Sequence, residues 1–236
     1  MENKNNKKIL ILYAQLGVGH YTAAKALKEA FNLKHPEIEV KIVDVFDFAF
    51  FGLKKTVSWG FVFINSKIPF LYKQLYLHCN KYFQQKILNY FSYSIIRKKK
   101  FIDFLKDFSP NFIISTNPLP MQLISLTKQK RIIDILSANV CTDFGFHSLW
   151  QNKDVNYYFV ATENIKKCLI DNKINSDKIK ISGIPISQKF QKNLNKEKII
   201  SDLAFDKKYP ILLVIGGKIK YHKLLKIVDG LKQKNN

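Results

Sequence analysis

The chain has 236 residues, of which 47% are hydrophobic, and its formal net charge is +21 at pH 7. This apolar content is sufficient for a folded core and excludes a chain that is mainly disordered. The positive charge is almost entirely lysine, since Arg97 and Arg131 are the only arginines. Because base-specific recognition usually relies on arginine, we expect an anionic membrane surface as the partner and no nucleic acid.

The sequence lacks the features of an exported or membrane-spanning protein. The N-terminal segment MENKNNKK has no apolar signal-peptide core, and no apolar run reaches the ~18 to 20 residues that a spanning helix needs. Cys79, Cys141 and Cys168 are widely spaced, which is typical of reduced thiols rather than of disulfides or a zinc site. We therefore expect a cytoplasmic protein, peripheral on the inner face of the cell membrane, without a metal or cofactor.

A β-turn-α unit is predicted between Lys7 and Ala30. An apolar run of strand length precedes a turn with Gly17 and Gly19, and a helix with apolar residues at helical spacing begins near Tyr21. The glycines allow positive φ and the close approach of a ligand, and the first N–H groups of the helix point outward at its positive end. His20 lies at this helix start, where the dipole favours a neutral imidazole that can accept a proton from a hydroxyl. The unit therefore predicts a phosphate or hydroxyl site.

Two other interpretations of this turn stay open. It can be only a tight connection, with His20 as a capping or solvent-exposed group. It also resembles the dinucleotide fingerprint G-x-G-x-x-G, with Asp44 at the end of the next predicted strand, Glu37 to Asp44, as the ribose ligand. Thr22 occupies the third glycine position and His20 falls inside the motif, which argues against a nicotinamide enzyme.

Aromatic residues and lysines are interleaved between Val45 and Tyr93. Aromatic rings settle at the depth of lipid headgroups while ammonium groups meet lipid phosphates, so this composition is typical of an interfacial segment. We expect membrane contact through Phe50, Phe51, Lys54, Lys55, Trp59, Phe61 and Phe63. An amphipathic helix predicted from Phe70 is expected to pack on its own domain. The run Arg97 to Lys100 is either a solvated helix face or a further contact with anionic lipid.

From Phe101 to Pro185 the predicted strands alternate with predicted helices. The strands are 111–118, 132–144, 157–163 and 177–185, and the helices are 101–108, 120–129 and 164–172. Such crossover connections require a parallel sheet covered on both faces, so the predicted fold class is α/β with a Rossmann-like parallel sheet. Ligands bind beyond the carboxyl ends of such strands. The polar residues predicted there, besides the first turn, are Thr116, Asn117, Thr142, Asp143, His147, Thr162 and Glu163.

A second domain is predicted to begin near the C-terminus. A lysine-rich linker with one short helix precedes a strand from Tyr209 to Lys218, which ends in a turn at Gly216 and Gly217. A helix from about Tyr221 to Lys232 follows. The expected organisation is a domain at 1–190, a linker at 191–208 and the incomplete start of a second α/β domain at 209–236.

Three stretches together resemble one family of enzymes. They are GVGHYTAAKALKEAF at Gly17 to Phe31, TDFGFHSLW at Thr142 to Trp150 and KIKISGIPISQKF at Lys178 to Phe190, with an STNPLP turn at Ser115. In this order they resemble the acceptor-side domain of the processive diacylglycerol glycosyltransferases and monogalactosyldiacylglycerol synthases. The resemblance implies the N-terminal half of a GT-B glycosyltransferase, truncated at the start of its second domain. Such enzymes transfer a hexose from a UDP-sugar to diacylglycerol, with inversion and without a metal.

The resemblance also implies roles for individual residues. His20 corresponds to the family's glycine-loop histidine, the suggested base or acceptor-binding group, and Asp143 lies with His147 in the TD-x-x-x-H segment. The expected catalytic residues are His20 and Asp143. The expected acceptor-binding residues are Gly17, Gly19, Thr116, Asn117 and His147, and the expected donor-binding remnant is Gly216 with Gly217. Turn capping is the other interpretation of Asp143 and His147.

The sequence departs from the family pattern after Gly217, where Lys218, Ile219 and Lys220 replace further glycines. Without the remainder of a donor domain, we expect the chain to be inactive alone. It is then a fragment, a non-catalytic peripheral membrane module, or the acceptor subunit of a split transferase whose donor domain is encoded separately. Charge alone supports the remaining alternative, a nucleic-acid-binding protein.

Overall fold

The computed structural model describes residues 7–15, 17–52, 56, 96–191, 193–206, 208–214 and 221–233. The chain divides into two compact units, Met1–Gln191 and Lys192–Asn236. In the described ranges, none of the helices is long and apolar enough to cross a membrane. The amphipathic helix predicted from Phe70 lies outside the described residues.

The first unit alternates strands and helices as the sequence predicts. Its elements are β1 (Lys8–Tyr13), α1 (Gly19–Lys34), β2 (Glu39–Asp44), α2 (Lys98–Phe108), β3 (Phe112–Ser115), α3 (Pro118–Gln129), β4 (Leu136–Val140), β5 (Tyr157–Val160), α4 (Glu163–Asp171) and β6 (Ile179–Ile181). Short 3-10 turns lie at Val45–Phe48, Ser148–Trp150, Ser176–Lys178 and Gln188–Gln191.

The six strands form one sheet in the order β2-β1-β3-β4-β5-β6, and every neighbouring pair is parallel. The predicted α/β fold with a parallel sheet is therefore confirmed. From β1 the chain first adds β2 on one side and then β3 on the other. This reversal places a crevice between the carboxyl ends of β1 and β3, where open parallel sheets bind ligands.

Both faces of the sheet are covered by apolar side chains. Ile9 and Ile11 of β1 pack on one face with Ala24 of α1, while Leu10 and Leu12 pack on the other face. All four β1 side chains are buried, as is typical of a central strand in a parallel sheet. The central strands are thus held firmly, and the residues that follow them are placed with little freedom.

Buried polar contacts fix the long connection between β4 and β5. The Asn152 N–H donates to the Tyr158 hydroxyl at 2.8 Å, and that hydroxyl donates to the Asn152 carbonyl at 2.5 Å. Lys128 of α3 donates to Ser137 Oγ and to Asn156 Oδ1, each at 2.9 Å. Partial burial lowers the pKa of Lys128. These contacts tie the β4–β5 connection to α3 and to the sheet.

The second unit contains two helices in its described residues, α5 (Lys196–Asp202) and α6 (Tyr221–Gln233). The short helix predicted in the linker and the helix predicted from Tyr221 are confirmed. The strand predicted at 209–218 is wrong for 209–214, which have no regular secondary structure and exposed side chains. An apolar run becomes a strand only when a neighbour satisfies its backbone groups, and no strand is described in this unit.

The segment 132–144, predicted as a strand that runs into a polar turn, begins its strand later than expected, since β4 covers Leu136–Val140. Its pairing with β3 begins opposite Phe112, which pairs with Leu136. Residues 132–135 therefore have no ladder partner, although their apolar side chains gave a strand-like pattern. The end of the strand before Thr142 places the following polar residues at the mouth of the crevice.

Replacing Tyr158 by Phe should lower the free energy of unfolding by about 1–3 kcal/mol, because the buried N–H and C=O of Asn152 lose their shared partner. Urea unfolding measures this loss. Tyr157→Phe is the matched control, since Tyr157 lies on the same strand but is 42% exposed, whereas Tyr158 is 0% exposed. Equal unfolding midpoints for the two variants would contradict the structural role of the hydroxyl.

Candidate functional site

His20 lies in the first turn of α1, directly after the carboxyl end of β1. Its Nδ1 is 2.8 Å from the carbonyl oxygen of Thr116 and 2.9 Å from Oγ1 of Thr142. Thr116 follows β3 and Thr142 lies just beyond β4, so the ends of three adjacent strands meet at one imidazole. This cluster lies at the crevice that the strand order creates.

The contact with Thr116 determines which ring nitrogen of His20 carries the proton. A carbonyl oxygen can only accept, so Nδ1 must be the donor, and in the neutral ring the lone pair lies on Nε2. In return, Thr116 Oγ1 donates to the His20 carbonyl at 2.9 Å. The reciprocal bonds fix the ring between the ends of β1 and β3. The resulting tautomer has a basic nitrogen on the side away from Thr116.

The surroundings of His20 keep its ring neutral near physiological pH. Burial lowers its pKa below the ordinary value of 6.5, while the hydrogen bond to Thr116 and the charge of Asp143 act in the opposite direction. The sequence interpretation assigned this neutrality to the helix dipole. Burial acts in the same direction, because the ring is partly covered between the strand ends.

Asp143 contributes to the site through its charge and is held by a tryptophan. Its Oδ2 accepts from Nε1 of Trp150 at 2.8 Å. Trp150 is 1% exposed and belongs to the core, whereas Asp143 is exposed. A buried indole thus fixes an exposed carboxylate close enough to raise the proton affinity of His20. The contacts that orient the His20 ring come from Thr116 and Thr142, and the catalytic role of Asp143 stays a prediction.

Two of the predicted acceptor-binding residues are helix caps. Asn117 accepts from the Leu119 N–H at 2.9 Å and caps α3. His147 is buried, and its Nδ1 accepts from the Leu149 N–H at 3.2 Å at the start of the 3-10 turn Ser148–Trp150. Capping was the alternative interpretation of His147 and describes its local contact, whereas the cap at Asn117 was not predicted. Acceptor binding by them stays a prediction.

The positive φ that glycine allows is not used at Gly17 or Gly19. Neither has φ in the left-handed region, whereas Gly52 and Gly183 do. Backbone conformation therefore does not require glycine at these two positions. Apart from its neighbours along the chain, a Cβ at Gly17 or Gly19 would have no atom of the described residues within 4 Å, so a ligand could approach the backbone at both positions.

Asp44, the ribose ligand of the alternative dinucleotide interpretation, is a buried turn residue. Its Oδ1 accepts from the Phe46 N–H at 3.1 Å and from the Gln15 N–H at 3.3 Å. The carboxylate therefore joins the end of β2 to the turn after β1. Its local contacts are structural, which agrees with the argument from Thr22 against a nicotinamide enzyme.

Of the predicted membrane contacts, the structure describes only Phe50 and Phe51. Phe50 is 53% exposed and Phe51 is fully exposed. Ala49 forms an antiparallel bridge with Ile96, and the Arg97 N–H donates to the Phe48 carbonyl at 2.8 Å. The backbone pairing thus brings the chain just before these two exposed residues next to the chain just before the basic start of α2. The remaining predicted contacts (Lys54, Lys55, Trp59, Phe61, Phe63) and the predicted donor remnant (Gly216, Gly217) lie outside the described residues.

Sequence reasoning did not assign a site role to Thr142 or to Trp150. Both belong to the stretch TDFGFHSLW, and Thr142 was recognised only as one of several polar residues at strand ends. Its contact with a ring 122 residues away in sequence is set by strand order, which local patterns do not determine. The hydrogen bond between Trp150 and Asp143, seven residues apart, likewise could not be predicted from a periodic pattern in the sequence.

A family model described as monogalactosyldiacylglycerol (MGDG) synthase matches residues 20–186. The chain belongs to this family. The matched range includes His20, Thr116, Thr142 and Asp143. The whole cluster around His20 therefore lies in the part of the chain that matches the family model. The resemblance expected from the three sequence stretches is thereby confirmed. Glycosyltransfer is the activity class of the enzymes to which the chain is related.

Relatives with established names point the same way. A processive diacylglycerol beta-glucosyltransferase of Bacillus cytotoxicus is 29% identical over 212 residues, which are 90% of this chain and 53% of that protein. The enzyme of the same name from Bacillus cereus is 30% identical over the same shares. This MGDG synthase family member therefore spans about half the length of the curated relatives it matches.

Two solved structures are weakly similar to the chain. The lipopolysaccharide outer core galactosyltransferase WaaB is 14% identical with a TM-score of 0.41, over 74% of this chain and 44% of that one. The UDP-GlcNAc 2-epimerase of Neisseria meningitidis is 16% identical with a TM-score of 0.42, over 85% of this chain and 54% of that one.

Within the described residues, no group of three histidine, cysteine, aspartate or glutamate side chains could hold a metal ion.

His20 should titrate below pH 6.5 and carry its proton on Nδ1 when neutral, because burial disfavours the imidazolium and Thr116 accepts from Nδ1. NMR of the ¹⁵N-labelled chain measures both the midpoint and the tautomer. The variant His20→Gln assigns the resonance by its disappearance. A midpoint at or above 6.5, or a proton on Nε2, would contradict this geometry.

Proposed function

We propose that this chain is the acceptor-binding half of a GT-B glycosyltransferase that transfers a hexose from a UDP-sugar to diacylglycerol. The observation that carries the proposal is the neutral His20 ring at the crevice, with its Nδ1 proton bound to Thr116 and its Nε2 lone pair available as a base. The family match and the glucosyltransferase relatives support the substrate class. In this proposal residues 1–190 are the acceptor domain, 191–208 the linker and 209–236 the start of the UDP-sugar domain, with Gly216 and Gly217 at the donor turn.

The proposed reaction is a single displacement at the sugar. The free hydroxyl of diacylglycerol attacks the anomeric carbon, the new glycosidic bond forms with inversion, and the bond from that carbon to the diphosphate oxygen breaks. The hydroxyl proton passes to His20 Nε2, and UDP leaves with the bonding electrons. A positioned base of this kind contributes roughly 10²–10⁴-fold in rate.

The charges around His20 suit this proton transfer. When Nε2 accepts the proton, the ring becomes an imidazolium whose Nδ1–H already donates to the Thr116 carbonyl. The Asp143 charge favours the imidazolium form and is fixed by Trp150. In this proposal the glyceride hydroxyl lies beside the ring, with Thr116, Asn117 and His147 around it, and the open space at Gly17 and Gly19 lets the acceptor approach the turn.

Diacylglycerol resides in a bilayer, so we propose that the first unit lies peripherally on the inner face of the cell membrane. The exposed rings of Phe50 and Phe51, just after the backbone pairing that precedes the basic start of α2, support this placement. The net charge of +21 is suited to an anionic lipid surface. The predicted contacts from Lys54 to Phe63 belong to the same proposal.

We propose further that this chain needs a donor domain in order to turn over. A UDP-sugar must be held and its departing diphosphate stabilised, which acceptor-domain residues cannot do alone. A donor domain would supply these groups. Mixing the chain with the C-terminal half of the Bacillus cereus relative, UDP-glucose or UDP-galactose, and vesicles that contain diacylglycerol tests this directly.

In that two-part assay, His20→Ala should reduce sugar transfer by roughly 10²–10⁴-fold, because the acceptor hydroxyl loses its base, while vesicle binding should stay unchanged. His35→Ala is the matched control, since His35 is exposed and paired only weakly with Glu37 at 3.4 Å. Unchanged turnover in His20→Ala would mean that the histidine is structural. Vesicle binding without transfer for any donor half would favour the non-catalytic membrane module.

Replacing Phe50 and Phe51 together by Ser should weaken binding to anionic diacylglycerol vesicles by roughly tenfold or more, because two aromatic rings no longer enter the headgroup layer. Co-sedimentation at several salt concentrations measures the affinity. Leu33→Ser, at an exposed position near the end of α1, is the control and should bind normally. Equal binding of the double variant and the control would place the membrane contact elsewhere.

A further inference from the structure

Three polar atoms from three chain segments form a small triangle around the proton of His20. Nδ1 of His20 is 2.8 Å from the Thr116 carbonyl oxygen and 2.9 Å from Thr142 Oγ1, and the Thr142 hydroxyl donates to the same carbonyl at 3.4 Å. The Thr116 carbonyl therefore accepts from two donors. The Thr142 hydroxyl can accept from Nδ1–H while it donates to that carbonyl, a combination that only a group with both functions allows.

The backbone that carries Thr142 is held in place by the sheet. The N–H of Cys141 donates to the Phe159 carbonyl at 2.8 Å, which extends the pairing of β4 with β5 up to the residue before Thr142. Cys141 itself is fully buried. The Thr142 hydroxyl therefore contacts His20 from a backbone position that the sheet fixes. A residue on a free loop would not keep a constant distance between its hydroxyl and the ring.

We propose that Thr142 is a positioning residue for the transfer reaction: its hydroxyl holds His20 in the orientation and tautomer that place the lone pair on Nε2, and it shares the Nδ1 proton when the ring becomes charged. This inference rests on the proposed role of His20 as the base. Thr142 acts through His20 and makes no contact with the reacting atoms in the proposed mechanism. Its side chain thus links the end of β4 to the catalytic group after β1.

Two other groups act on the same ring and must be separated from Thr142. The charge that reaches His20 in the described part of the chain is that of Asp143, in the connection after β4 and held by Trp150. The Thr116 carbonyl, at the end of β3, is a main-chain group that side-chain substitution leaves in place. The effect of Asp143 is a through-space field that salt weakens, whereas that of Thr142 is a direct hydrogen bond.

The test compares the wild-type chain with Thr142→Val and Thr142→Ser, each labelled with ¹⁵N. Valine keeps the volume of threonine but removes the hydroxyl, so the imidazolium loses one acceptor and the pKa of His20 should fall by roughly 0.5–1 unit. The neutral ring should also show more of the Nε2–H tautomer. Serine keeps the hydroxyl and should restore both values. Asp143→Asn should also lower the pKa of His20, but by an amount that shrinks as salt is added.

In the two-part transfer assay, Thr142→Val should move the acidic limb of the pH profile of kcat to lower pH, by the same amount as the fall in the pKa of His20. It should also lower kcat, with little change in KM for diacylglycerol. An unchanged pKa and tautomer of His20 in folded Thr142→Val would overturn the positioning role, and Thr142→Ala provides the same measurement where valine prevents folding. A shifted pKa together with full activity of His20→Ala would instead overturn the proposed base while leaving the positioning contact established.

Discussion

The hydrogen bond from His20 Nδ1 to the Thr116 carbonyl is the contact on which the candidate site depends. It joins residues 96 positions apart in sequence, and it exists because β1 and β3 are parallel neighbours whose carboxyl ends coincide. The burial of β1 on both faces holds one partner, and the start of α3 directly after Asn117 holds the other. A base with a defined tautomer is therefore a consequence of sheet topology. No local motif around His20 could create it.

Much of this topology could be predicted from the sequence, because apolar runs of strand length alternate with amphipathic segments from Lys7 to Pro185. The parallel sheet then follows from the crossover connections, and polar residues after each strand are brought to one edge. That reasoning placed His20, Thr116 and Asp143 at the same edge. It could not provide strand order, so it could not show that Thr142 contacts His20. It also failed at 209–214, where an apolar run has no neighbouring strand among the described residues of its unit.

For His20, the first-turn glycines and His147, the sequence predicted the position of the residue, and the structure adds to or changes the explanation of what the residue does there. The neutral form of His20 was expected from the helix dipole alone, whereas burial also lowers its pKa, and burial depends on side-chain packing that residue patterns do not determine. The glycines of the first turn were expected to allow both positive φ and the approach of a ligand, yet neither has positive φ, and only the open space at their positions agrees with the expectation. His147 has the local contacts of a capping residue, which a residue pattern cannot distinguish from a ligand-binding one.

The burial that suits His20 to accept a proton also makes the fold sensitive to acid. Because the folded-state pKa of His20 lies below its unfolded value, the unfolded chain binds more protons below about pH 6.5, and the stability that is present above that pH is lost as pH falls through the folded pKa. Deeper burial alone would keep the ring neutral but make it a weaker base. The acceptors at Nδ1 and the charge of Asp143 oppose this decrease in the basicity of His20. A partly buried imidazole with two acceptors behind it and a carboxylate nearby is therefore a compromise between remaining unprotonated and binding a proton well enough to take it from an alcohol.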